Sequence, residues 1–195
     1  MNYIHQQDSM DCGPSCLVMI ARHYGQQIDI NRLREICSLG KNGVSLLGIS
    51  KAAESIGFKT LGGRLSFYTI AHEIPLPCIV HWNQNHFVVV YKIRKHKKGM
   101  YTIYVADPSK GLITYTKEEF CQHWINTKTE SEEKGVALLL EPTEQFYTLN
   151  ETETTPTQSR VKFLWRYLKK YRRFFTQRWC KQNCVTALIF YSFPL

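Results

Sequence analysis

The sequence lacks several features that define common protein classes. Its seven cysteines, at positions 12, 16, 37, 78, 121, 180 and 184, include no pair of Cys-x-x-Cys units, so a structural zinc site is not expected. Residues 1–8 lack the charged and then apolar pattern of a secretory signal. An odd number of scattered thiols without such a signal favours the reducing cytoplasm.

Long apolar runs and a basic domain surface are also missing. The last apolar stretch, residues 184–195, is shorter than the roughly 20 residues that a membrane-spanning helix needs, so we expect no membrane crossing within this chain. Of the net charge of +9, residues 151–195 carry +7 and residues 1–150 only +2. Residues 1–150 show no basic groove with stacking aromatics, and nucleic-acid binding is therefore not expected.

The order of helix-like and strand-like segments indicates an α+β fold. Apolar residues recur at helical spacing in three early segments, residues 14–24, 30–39 and 45–56. Strand patterns then follow at residues 58–65, 78–82, 86–93, 100–106, 112–116 and 135–140. Short helices are expected at residues 66–73 and 117–125. We expect N-terminal helices packed on an antiparallel sheet, with residues 86–93 central and buried on both faces.

Cys12 stands where the first helix begins. Pro14 suits the first helical position because proline has no N–H to lose there. Unpaired backbone N–H groups and the positive end of the helix dipole favour a thiolate at such a position. The alternative is that Cys12 and Cys16 are small core residues, since a free cysteine is usually buried and inert.

A thiolate nucleophile needs a base, and the base needs a group that orients it. His86 opens a buried strand directly after a polar turn, and Asp107 follows the next strand. Antiparallel pairing of these strands brings both residues to the same end of the sheet, in the chain order Cys, His, Asp. The competing candidates are His81 for the base and Asp8 or Asp11 for the acid.

The oxyanion that forms on the attacked carbonyl needs hydrogen-bond donors. The backbone N–H of Cys12 is one candidate. The side-chain amide of Gln6 or Gln7, a few residues upstream, is the other.

Four separated blocks of the sequence resemble one known family. They are Gln6-x-Asp8-x-x-Asp11-Cys12-Gly13-x-x-Cys16-Leu17, then GVSLLGISKAAESIGF, HFVVVY and Asp107-Pro108. Over roughly residues 1–145 this pattern is similar to the amino-terminal cysteine peptidase domain of peptidase-containing ABC transporters, which process double-glycine leaders of bacteriocins. The resemblance implies a papain-like fold without a metal or cofactor.

The resemblance also implies a role for each of four matching residues. Cys12 corresponds to the nucleophile, His86 to the general base, Asp107 to the orienting acid and Gln6 to the oxyanion-hole amide. The family cleaves a leader peptide after a Gly-Gly pair while the cargo is exported, on the cytoplasmic side of the bacterial plasma membrane. The implied partners are that leader peptide and the membrane and ATPase domains of an ABC transporter.

Three regions are expected along the chain. Residues 1–145 form the peptidase domain, residues 146–160 a linker, and residues 161–195 a basic amphipathic tail that resembles the lead-in to a transporter membrane domain. A terminal helix folded back on the domain is the alternative for the tail. For the function, the alternatives are a catalytically silent docking domain that binds export cargo and a Cys-His-Asp acyltransferase.

Overall fold

The computed structural model describes residues 1–37, 44–128 and 133–148. Three helices form one layer of this part of the chain: α1 is Cys12–His23, α2 is Ile30–Cys37 and α3 is Leu46–Ser55. α1 is buried along its length from Cys12 to Ala21. α3 begins at a Ser45 N-cap, whose side chain accepts the Gly48 N–H at 3.0 Å, as expected for serine at a helix start.

The second layer is an antiparallel sheet. Within the described residues its seven strands are β1 Phe58–Ser66, β2 Cys78–Trp82, β3 His86–Lys95, β4 Tyr101–Asp107, β5 Gly111–Thr116, β6 Ile125–Lys128 and β7 Glu133–Pro142. They lie in the order β1-β7-β2-β3-β4-β5, and β6 pairs with β7 outside that path. The remaining helices of the described residues are α4 Phe67–His72, α5 Lys117–Trp124 and α6 Glu144–Thr148.

β3 contributes to the core on both faces of the sheet. Phe87 and Val89 pack with residues of α1, α2 and α3, whereas Val88 and Val90 pack with residues that include Phe120 of α5. Alternate side chains of a strand point to opposite faces, so the continuous apolar run VVV requires burial on both. The prediction of a central, doubly buried strand is confirmed for the first half of β3.

α6 packs against the core, and the sequence analysis predicts neither α6 nor β6. The ring of Phe146 is 2% exposed and lies 4.3 Å from the ring of Phe58. Gly57 follows α3 with a φ of +86°, and a Cβ at Gly57 would collide with the backbone of Phe146. The packed fold therefore continues through Thr148, into the first residues of the expected linker.

Several predictions fall on residues outside the described ranges. They are the end of the second predicted helix, with Gly40, most of the linker, and the basic tail at residues 161–195. Within residues 1–37, 44–128 and 133–148, no helix combines the length and apolar character needed to cross a bilayer.

Candidate active site

Cys12 is the first residue of α1, and its exposed fraction is 6%. A single 3-10 turn, Ser9–Asp11, leads into it. The N-cap residue of α1, Asp11, makes no side-chain capping bond to the helix, so the first backbone N–H groups stay available near the thiol. The prediction that Pro14 is the first helical residue is wrong, because α1 begins at Cys12 and Pro14 is its third residue. Proline is tolerated there because the first-turn N–H groups have no intrahelical partner.

The turn before Cys12 is bonded to α2, and the first residues of α1 pack against α3. Arg34 of α2 donates to both carboxylate oxygens of Asp11, from Nε at 2.9 Å and from an Nη at 2.5 Å. This bidentate bond lowers the pKa of Asp11. At Gly13 a Cβ would lie 2.7 Å from Cγ1 of Val44 and 2.8 Å from Cγ1 of Ile49, so only glycine lets α3 approach this closely.

His86 and Asp107 form a hydrogen-bonded pair at the end of β3 and β4. Nε2 of His86 lies 2.8 Å from Oδ1 of Asp107. Ser109 donates to the same oxygen from its backbone N–H and from its hydroxyl, each at 2.8 Å. The Asp107 side chain is 2% exposed and that of His86 19%, so solvent screens the pair weakly.

The thiol of Cys12 completes the arrangement, because it lies close enough to the imidazole of His86 to help raise its pKa. Burial lowers the pKa of His86, but hydrogen bonds to Asp107 and to Cys12, and then their charges, outweigh it and raise that pKa to about 9. For Asp107, burial raises the pKa, and hydrogen bonds from His86 and Ser109 bring it down to about 2. At neutral pH the pair is therefore an imidazolium beside a carboxylate.

Gln6 and Gln7 point to different places. The side-chain Oε1 of Gln7 accepts a bond from Arg34 at 3.0 Å, and this side chain is exposed. The backbone N–H of Gln6 donates to the carbonyl of Pro108 at 2.9 Å. The Oε1 of Gln6 is buried and has no hydrogen-bond partner among the described residues. Gln6 is thus the amide that faces inward, next to the Asp107 turn.

The rival candidates have other contacts. The ring of His81 stacks on that of Phe87 at 4.9 Å, and burial lowers the pKa of His81. Asp8 caps the 3-10 turn, and Asp11 is paired with Arg34. Burial raises the pKa of the Cys37 and Cys78 thiols to about 12, which keeps both thiols protonated and unreactive.

Sequence reasoning missed two residues of this site. Ser109 follows Asp107 in the segment Asp-Pro-Ser, where a carboxylate bonding to the backbone two residues on is a common local turn; that signal was available. Tyr3 donates its hydroxyl to the carbonyl of Pro108 at 2.9 Å, across 105 positions of the chain. No local sequence pattern predicts a bond between residues so far apart in the chain.

Comparison with known proteins identifies the family. Residues 1–144 match the peptidase C39 family. The chain belongs to this family. It is 40% identical over 126 residues to the lactococcin-G-processing and transport ATP-binding protein of Lactococcus lactis subsp. lactis, a match that covers 62% of the chain and 17% of that relative. It is 29% identical over 185 residues to the colicin V secretion/processing ATP-binding protein of Escherichia coli, covering 95% of the chain and 24% of that relative.

Solved structures give the same result. A double glycine motif protease from an AMS/PCAT transporter, in complex with the leader peptide, superposes with a TM-score of 0.60 at 30% identity, covering 73% of this chain and 91% of that one. The peptidase domain of Streptococcus ComA superposes with a TM-score of 0.57 at 30% identity, covering 72% of this chain and 97% of that one. The predicted papain-like arrangement and the assignment as a cysteine peptidase of the C39 family are confirmed. The chain spans about a fifth of the length of the two curated relatives.

Proposed function

We propose that this C39 domain cleaves the leader of a secreted peptide after a Gly-Gly motif, with Cys12 as nucleophile, His86 as general base and acid, and Asp107 as the group that orients the imidazole. The observation that carries the proposal is the hydrogen bond between His86 and the buried carboxylate of Asp107, on an imidazole whose pKa is also raised by Cys12 at the start of α1. The Nε2 amide group of Gln6 would supply an oxyanion donor; the Oε1 of the same side chain is buried and has no partner among the described residues.

The reaction follows from these positions. The Cys12 sulfur, as thiolate, attacks the carbonyl carbon of the second glycine, and the oxyanion accepts bonds from the Cys12 N–H and the Gln6 amide. His86 gives its proton to the leaving amine, and the cargo departs, leaving a thioester on the leader. His86 then takes a proton from water, which attacks the thioester and releases the leader carboxylate and the thiolate.

The raised pKa of His86 supports this assignment. An imidazole that keeps its proton to about pH 9 can stabilise a neighbouring thiolate over the whole neutral range. The hydrogen bond to Asp107 occupies Nε2 and leaves Nδ1 available for proton exchange with the thiol and the leaving amine.

The proposed setting is the cytoplasmic side of a bacterial plasma membrane, in association with the membrane and ATPase domains of an ABC transporter. The names of the relatives, which are processing and transport or secretion ATP-binding proteins, support it. The apolar face of an amphipathic leader helix would dock on exposed apolar side chains of the domain. Leu47 of α3 and Leu61 of β1, which are 64% and 68% exposed on two elements that pack together, are candidates for this contact.

Two alternatives predict different behaviour. A silent docking domain needs no reactive thiol, whereas Cys12 here lies close enough to the His86 imidazole to help raise its pKa, and this favours the enzyme. A Cys-His-Asp acyltransferase requires an amine or thioester co-substrate to turn over. Membership of a peptidase family, and a solved neighbour described as a double glycine motif protease, favours hydrolysis.

The test is cleavage of a synthetic peptide that contains an amphipathic helix, Gly-Gly and several cargo residues, read by mass spectrometry without any added acceptor. We expect a single cut after Gly-Gly. Cys12→Ala should abolish the cut, as should Ala-Val in place of Gly-Gly, whereas the control Cys121→Ala on α5 should retain it. Cleavage by the Cys12→Ala protein, or turnover that depends on an added amine, would contradict the proposal.

A further inference from the structure

The segment that contains Gln6 has no secondary structure of its own. Residues 1–6 belong to neither a helix nor a strand, so their position depends on long-range contacts. Two of those contacts converge on one atom, the carbonyl oxygen of Pro108. The backbone N–H of Gln6 donates to it at 2.9 Å, and the hydroxyl of Tyr3 donates to it, also at 2.9 Å.

Pro108 is the residue directly after Asp107, so the same turn holds the carboxylate and anchors the N-terminal segment. These two hydrogen bonds hold the N-terminal segment to the turn at Tyr3 and again at Gln6. The ring of Tyr3 also packs against the core cluster that contains α1. Burial and the charge of Asp107 raise the pKa of Tyr3, which keeps its hydroxyl protonated and able to donate.

We propose that Tyr3 is a positioning residue: its bond to the Pro108 carbonyl holds the Gln6 amide where the oxyanion of the cleavage reaction develops. This inference rests on the proposed peptidase function. In this role Tyr3 acts through Gln6, since its hydroxyl bonds to the Pro108 carbonyl. Oxyanion stabilisation requires a donor in a fixed position. Because the segment has no secondary structure, the Tyr3 hydroxyl, three residues before Gln6, helps to fix the position of the Gln6 amide.

This role predicts a specific kinetic pattern for Tyr3→Phe, which removes one oxygen and keeps the packed ring. The oxyanion exists only in the transition state and the intermediates, so kcat should fall by about tenfold with little change in KM. Alkylation of Cys12 by iodoacetamide forms no oxyanion, and its rate and pH dependence should remain those of the wild type. A merely structural role would change both rates or neither.

The experiment compares four variants of the full 195-residue chain with the wild type: Tyr3→Phe, Gln6→Ala, the double variant, and the control Tyr68→Phe. Tyr68 lies on α4 and is 65% exposed, so its hydroxyl can be removed without disturbing the core. Cleavage of the Gly-Gly peptide and alkylation of Cys12 are measured on each protein. In the Gln6→Ala background there is no amide to position, so adding Tyr3→Phe should lower kcat by less than about twofold.

Each of the following outcomes either supports or overturns the inference. Non-additive losses in kcat, together with unchanged alkylation, support it. An equally large loss from Tyr3→Phe in the Gln6→Ala background overturns it, and so does slower alkylation, because Tyr3 would then act on the thiolate. A wild-type protein that is alkylated at Cys12 but does not cleave the peptide contradicts the proposed function itself, and the inference then falls with it.

Discussion

Replacement of Asp107 by asparagine isolates the charge of the proposed orienting acid. The amide keeps the shape of the carboxylate and removes its charge from beside Nε2 of His86, 2.8 Å away. Burial alone lowers the pKa of His86, and the contacts with Asp107 and Cys12 raise it to about 9. Without the carboxylate we expect that pKa to fall toward its ordinary value of about 6.5, and the protonated fraction at pH 7.5 to drop from about 97% to about 10%.

The assay is the rate of Cys12 alkylation by iodoacetamide as a function of pH, with the modified peptide quantified by mass spectrometry. Loss of the imidazolium removes the cation that stabilises the thiolate, so Asp107→Asn should react roughly tenfold more slowly than the wild type at pH 7.5. The rates should converge in alkaline solution, where the imidazole of the wild type also loses its proton. Asp29→Asn, which changes an exposed carboxylate that accepts the Asn31 N–H, is the matched control.

Equal alkylation rates for Asp107→Asn and the wild type between pH 6 and 8 would refute this reasoning. They would mean that the carboxylate does not set the charge of the imidazole. A loss of the same size in the Asp29→Asn control would also refute it, because the effect would then reflect the net charge of the domain and not the contact with His86.

Three further predictions concern the His86–Asp107 pair and the packing of α1. Ser109→Ala removes one of the donors to Asp107 and should lower the free energy of unfolding by about 1.5 to 3 kcal/mol in urea titrations; no change would contradict the observed bond. The raised pKa of His86 and the lowered pKa of Asp107 stabilise the folded state fully between about pH 4 and 6.5. The thermal midpoint should therefore fall as the pH rises toward about 9 or drops toward about 2, and a flat profile would count against the pair. Gly13→Ala should destabilise the fold by about 1–3 kcal/mol in thermal melts because its Cβ would meet the side chains of Val44 and of Ile49 on α3, whereas Gly63→Ala, with nothing within 4 Å of its Cβ, should not.

The juxtaposition of His86 and Asp107 could be predicted because antiparallel pairing is a strong constraint. Two apolar strands joined by a short polar connection pair with each other, and the residues at their outer ends then meet. The observed register pairs Val89 with Ala106, which puts the start of β3 beside the end of β4. The β-bulge between Val90 and Lys92 has no sequence signal and was not predicted, but it lies beyond the site and leaves this end in register.

The choice between Gln6 and Gln7 could not be made from the residues alone. Both are polar residues in a segment without periodicity, and the preference for Gln6 depended on the family resemblance. The structure separates them by their contacts, since Gln7 bonds to Arg34 on the surface and Gln6 faces inward. Bonds between residues about 100 positions apart, such as that from Tyr3, depend on the finished fold and leave no local pattern.

The proposed nucleophile and base come from different layers of the fold, so their contact depends on how α1 packs on β3. One turn after Cys12, the thiol of Cys16 donates to the carbonyl of Phe87 at 3.4 Å, and Phe87 is the residue next to His86. Burial, followed by the charges of Cys12 and Asp107, raises the pKa of Cys16 well above its usual value, which keeps this thiol protonated as a donor. The two thiols of the Cys-x-x-x-Cys segment thus have opposite requirements, because one must ionise to react while the other must keep its proton to hold the helix in register with the strand that carries the base.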